Sequence, residues 1–167
     1  SSMGPHLHFE LRDNRTQRRY NLVHEGIIRP ADHTPPRILR LHYIEVDTVR
    51  GVPVRSPGES YAVVRTTAGD YRLTRSEALP VGRNGYFVVE ASDRRDGVHN
   101  TFGIWRAALA VDGQTRFEYR MDGFTYEQAR CCDAVSCYPL QLFPRNGCIR
   151  LARPPRAPGA FSPNLAD

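Results

Sequence analysis

The sequence predicts an all-β fold, a sandwich of short strands. Two observations carry that expectation. Apolar residues recur with period two in short runs, the spacing that turns one face of a strand toward a core. Gly, Pro, Asn and Asp separate those runs throughout, and these are the residues that turns demand. A third feature divides the chain. Arg29-Pro30-Ala31-Asp32-His33-Thr34-Pro35-Pro36 holds three prolines in seven residues, which excludes helix and favours a stiff, extended joint. Residues 1–28 are therefore expected as one part, 29–36 as a linker, 37–152 as the sandwich, and 153–167 as an irregular tail with no core face.

The elements follow in order. Gly4 to Arg12 alternates and reads as a strand, Asp13 to Gln17 as a polar turn, and Tyr20 to Ile28 as a short apolar return. Past the joint, Ile38 to Val46 alternates and runs into an Arg50-Gly51-Val52-Pro53 turn. Tyr61 to Thr66 and Tyr71 to Thr74 flank Ala68-Gly69-Asp70, a hairpin-type turn. Tyr86 to Ala91, Ile104 to Val111 and Thr115 to Met121 continue the series. Asp112-Gly113 joins the last two, and Asp-Gly between alternating segments is a strong hairpin signal. Thr125 and Gln128, spaced as in a capping box, mark a helical turn, and Cys148 to Leu151 is a candidate final strand. Trp105, the single tryptophan, sits in an alternating segment and is expected in the core. Such a series of short strands with Gly/Pro turns predicts an immunoglobulin-like β-sandwich.

Composition narrows the function classes. A chain of 167 residues with 40% hydrophobic and 25% charged residues can build a sizeable core. No run of 18 apolar residues occurs, so no membrane span is expected in this chain. All 23 basic residues are arginine, for a net charge of +5. They are dispersed and mostly alternate with apolar residues, as on solvated strand faces, so nucleic acid is not an expected partner. The four cysteines, Cys131, Cys132, Cys137 and Cys148, lack the paired Cys-x-x-Cys spacing of a structural zinc site. They fit either small buried thiols or a disulfide to Cys148.

The chemistry-bearing residues lie at the start. His6 and His8 stand at i and i+2, so on a strand they share a face, with Leu7, Phe9 and Leu11 on the other. Imidazole is a common metal ligand and general acid/base. Half of a zinc site meets that spacing, and so do two histidines on a partly exposed strand.

The surrounding residues bear on that choice. Ser2-Met3-Gly4-Pro5-His6-Leu7-His8-Phe9-Glu10-Leu11-Arg12 resembles the last motif of the lysostaphin-type (LytM-like) zinc metallopeptidases, which cut peptide cross-links in peptidoglycan. That motif reads Gly-x-His-x-His-Phe-Glu-hydrophobic-Arg, and each fixed position is matched. The resemblance implies that His8 is a zinc ligand, that His6 is the catalytic histidine beside the metal-bound water, and that the parent reaction is attack of that water on a peptide carbonyl. It implies a truncated peptidase domain over residues 1–28, with the periplasm or cell envelope as compartment. The family's other two ligands come from an upstream His-x-x-x-Asp motif. Here the fourth residues after His24, His33, His42 and His99 are Ile28, Arg37, Val46 and Gly103. A catalytic zinc needs three protein ligands, so Zn²⁺ is expected in the full-length parent and weakly or not at all in this fragment.

A second stretch resembles another module. Val89-Glu90-Ala91-Ser92-Asp93, then Gly97, Asn100 and Gly103-Ile104, then Val111-Asp112-Gly113, is similar to bacterial immunoglobulin-like modules and to the region downstream of the peptidase domain in lysostaphin-type proteins of Bacteroidetes. Asp93, Asp96 and Asn100 do not have EF-hand spacing and read as turn residues rather than calcium ligands. The function expected is therefore the C-terminal fragment of a cell-wall zinc metalloendopeptidase acting on peptidoglycan cross-links, inactive alone. The alternative is a non-catalytic envelope binding or adhesion module whose sandwich takes an envelope protein or glycan partner.

Overall fold

The computed structural model describes residues 9–49, 52–55, 58–129, 135–141 and 147–153. They form an all-β, sandwich-like fold, as the alternation predicts. The main sheet is antiparallel, in the order β11 (Gly147–Arg150), β6 (Gly85–Arg94), β2 (Arg37–Val49), β4 (Glu59–Arg65) and β5 (Tyr71–Leu73). β3 (Val52–Arg55) folds back on β2, and β7 (Thr101–Phe102) pairs with the end of β6. β8 (Arg106–Val111) and β9 (Gln114–Arg120) make a separate hairpin. The two-residue strands β1 (Arg19–Tyr20) and β10 (Gly123–Phe124) pair with each other.

Register sorts side chains to two faces. Along β2 and β6, Leu41 stands opposite Val89, His42 opposite Val88, Tyr43 opposite Phe87 and Ile44 opposite Tyr86. Period two then puts Ile44, Tyr86 and Val88 on one face, where Cys148 of β11 joins them. Cys137 and Leu140 cover that face, next to the helical turn α2 (Tyr138–Gln141). The opposite face carries Phe87, Val89 and Ile149, and β8–β9 lays Ala107, Leu109, Phe117 and Tyr119 over it. Cover on both sides buries the middle of β6: Val88 is fully buried, worth about 1.5–3 kcal/mol for such a side chain.

Local chemistry closes the turns. Asp112 and Gly113 have φ of 52° and 77° between the paired Val111 and Gln114, the two positive-φ positions of a type I′ hairpin. At the β4–β5 turn Gly69 has φ of 94°, and Thr66 N–H reaches Asp70 O at 2.7 Å. Before the helical turn α1 (Tyr126–Ala129), Thr125 N–H donates to Gln128 Oε1 at 2.9 Å and Gln128 N–H to Thr125 Oγ1 at 3.3 Å. That is the reciprocal capping box the spacing predicts.

Several expectations are corrected. Val52 and Pro53 belong to β3 rather than to a turn; β3 pairs on one side only, where proline's missing N–H costs no ladder bond. Tyr20 to Ile28 is not a strand beyond Tyr20. Asn21 Oδ1 instead accepts from the N–H groups of Val23 (3.1 Å) and His24 (3.3 Å), and the chain coils until Gly26 at φ 69° ends it. Trp105 is not in the core: it precedes β8 and is 42% exposed.

Candidate functional site

The two predicted site residues, His6 and His8, lie outside the described residues, as do Cys131 and Cys132. The structure picks up the motif at Phe9. From there it makes a tight hairpin: Arg12 bridges Arg19, Tyr20 N–H donates to Leu11 O at 3.1 Å, and Asp13 N–H to Arg18 O at 2.9 Å. Asp13 Oδ1 closes the predicted polar turn by accepting from Arg15 N (2.9 Å) and Thr16 N (2.6 Å). The motif's own acid and base are paired within it. Glu10 binds Arg12 and also Arg19 Nε at 3.0 Å, and the Arg12 guanidinium holds the Glu10 carboxyl below its ordinary value.

Strand β1 then carries this hairpin onto β10, with Arg19 opposite Phe124 and Tyr20 opposite Gly123. A Cβ at Gly123 would run into the Arg19 carbonyl, so only glycine permits that approach. Asn21 reaches the same place, its Nδ2 donating to Met121 O at 2.9 Å. Asp122 is the centre of the junction. It accepts from Trp105 Nε1 at 2.9 Å, pairs with Arg120 at 3.0 Å, and lies 3.6 Å from His24 Nε2. The His24 and Trp105 rings stack at 5.2 Å, and the Arg120 guanidinium sits 5.6 Å from the indole centroid.

Beside that junction opens a cleft of about 600 Å³, lined by His24, Ile28, Asp32, Asp93, Phe102 and Trp105 among others. Trp105 and Phe102 are half-exposed to it at 42% and 44%. Burial raises the Asp93 carboxyl above its usual value, with the nearby Asp32 charge adding to the effect. The rings of Phe102 and Trp105 can receive the apolar or sugar-like face of a ligand, while the charged lining is mixed, Asp32 and Asp93 beside Arg94 and Arg95.

The sheet holds a second polar group. His42 Nε2 lies 3.3 Å from Glu90 Oε2, both residues are buried, and Arg40 Nε approaches the same oxygen at 4.0 Å. A buried carboxylate with two such neighbours is compensated in place. With His42 at 7% and Glu90 at 4% exposure, the pair belongs to the packing of the sheet. The inward position of His42 in an alternating strand was the signal for a buried partner; that the partner is Glu90, 48 residues on, depended on register.

Zinc fits the described residues poorly. Among them no three His, Cys, Asp or Glu side chains converge on a metal position. Glu10, nearest in sequence to the histidine pair, is taken by two arginines. His24, His33 and His42 each face a carboxylate, of Asp122, Asp96 and Glu90. Asp96 is likewise engaged, accepting from Thr34 Oγ1 at 2.5 Å and from His33 N–H at 3.0 Å, partners 62 and 63 residues away rather than its own turn. No helix among the described residues is long and apolar enough to cross a membrane. Compared with known proteins, the chain matches no family model, no curated protein and no solved structure.

Proposed function

We propose that this chain is the C-terminal part of a lysostaphin-type zinc metalloendopeptidase acting on peptidoglycan cross-links in the periplasm or cell envelope. It carries half of the metal site, with His8 as the zinc ligand and His6 as the catalytic histidine, and an accessory immunoglobulin-like sandwich. Alone it is inactive, because a catalytic zinc needs three protein ligands and an open position.

The observation that carries this reading is the run Gly4-x-His6-x-His8-Phe9-Glu10-Leu11-Arg12. Support comes from its last residues, whose acid and base are paired and lead into a hairpin anchored on β10. A segment anchored at Arg12 and, through β1, on β10 is a suitable support for the residues of such a site. The second reading, a non-catalytic envelope binding module, is favoured by the cleft at Trp105 and Phe102.

Release of cross-link peptides from purified sacculi separates the two. This chain with added Zn²⁺ is expected to release none, and a parent carrying an upstream His-x-x-x-Asp motif to release them until His8→Ala is introduced. A parent without that motif, bound to sacculi but inert, would establish the binding module instead. Zinc-dependent turnover by this chain alone would overturn the half-site.

A further inference from the structure

Ser136 stands opposite Ile149 in an antiparallel bridge, and the next residue, Cys137, donates its N–H to the Cys148 carbonyl at 2.9 Å. Cys137 and Cys148 are therefore cross-strand neighbours. Their side chains share a face, since both belong to the cluster of Ile44, Tyr86 and Val88, at 8% and 1% exposure. A hydrogen-bonded antiparallel pair, which the Cys137 N–H bond to Cys148 marks, holds its Cα atoms about 5.5 Å apart. A disulfide spans roughly 4.4–6.8 Å between Cα atoms. Shared face and matching separation are the two backbone conditions for a bridge, and here both residues are thiols.

We propose that Cys137 and Cys148 are an oxidation site, closing into a cross-strand disulfide when the chain folds in an oxidising compartment. The bond ties the segment that carries α2 to β11, and so fastens the cover over the Ile44–Val88 face. A small-molecule disulfide such as glutathione disulfide is the oxidant. One cysteine thiolate attacks it, forming a mixed disulfide and expelling one small thiolate; the second cysteine thiolate then displaces the other half. Two protein thiols and one small disulfide become one protein disulfide and two small thiols, which take up the two protons.

The surroundings set when this happens. Burial, with the nearby Glu90 and Cys137, pushes the Cys148 thiol up to about 12, and burial raises Cys137 as well. Buried thiols of that kind are poor nucleophiles. The bond therefore forms while the 135–141 segment is still undocked, and the folded, reduced protein resists oxidation.

Trypsin reads the connection directly. Cleavage after Arg130, Arg145 and Arg150 puts Cys148 on a peptide separate from the other three cysteines. After refolding with glutathione and glutathione disulfide, alkylation and digestion without reduction, the two peptides are expected joined in the wild type. They stay joined in a Cys131→Ser/Cys132→Ser variant and separate in Cys137→Ser. Dithiothreitol should lower the melting temperature of the oxidised wild type by about 5–10 °C and leave Cys137→Ser unchanged. Alkylated Cys148 in the refolded wild type overturns the proposal. So does a joined pair that survives Cys137→Ser or vanishes in the double variant. Should Cys137→Ser not fold, fragmentation of the joined wild-type peptides assigns the bridge without it.

Discussion

Trp105 donates its indole N–H to Asp122 at 2.9 Å, and the same ring is stacked by His24 at 5.2 Å. The only tryptophan thus sits where the N-terminal hairpin meets the sandwich rather than inside either. Its exposure and its hydrogen bond have one cause: the indole covers the seam while its N–H needs an acceptor, and Asp122 supplies it.

Asp122→Ala is expected to destabilise the chain by about 1–2 kcal/mol, because it leaves Trp105 and Arg120 without their shared acceptor. Urea unfolding followed by tryptophan emission measures both effects, and the native emission should shift to the red. An unchanged midpoint would mean that water replaces the carboxylate at no cost.

Among the described residues, none of the first 36 positions belongs to either core cluster. Removing residues 1–28 should therefore leave a domain that still melts cooperatively, a few degrees lower, with Trp105 more exposed. Scanning calorimetry checks this. A broad, non-cooperative transition would show that β1 is needed to hold β10 and the β8–β9 hairpin in place.

Gly113→Ala isolates backbone strain from packing. A Cβ there meets nothing within 4 Å, yet φ is +77°. The left-handed conformation costs an L-residue about 1–2 kcal/mol, and that loss should be read in the unfolding midpoint. Gly97→Ala, with φ of +71° and equally open space, should match it.

Asp96 links the proline-rich segment to the end of β6. Hydrogen bonds from Thr34 and then His33 hold its carboxyl below the usual 3.8. A carboxyl depressed in the folded state stabilises above its unfolded value and loses that contribution as pH falls through the folded value. The wild type should therefore lose melting temperature more steeply than Asp96→Asn below about pH 4. Parallel curves between pH 5 and 2.5 would remove this pair from the acid response.

Short-range structure is legible in the residues alone. The alternation of Ile38 to Val46, the Asp112-Gly113 hairpin and the Thr125–Gln128 box were all legible, because each depends on φ, ψ and hydrogen bonds within a few residues. The His6 and His8 pair is read in the same local way, from its spacing and the motif around it, and lies outside the described residues. Which strands meet depends instead on long-range packing. Asn21 bonding Met121 across 100 residues, His42 meeting Glu90 across 48, and Cys137 lying beside Cys148 each depend on a register chosen by the whole sheet. Closing such loops costs chain entropy that no local pattern repays. It is offset only when both faces of β6 are buried at once, so where Trp105 and Asp122 come together was not written in the residues beside them.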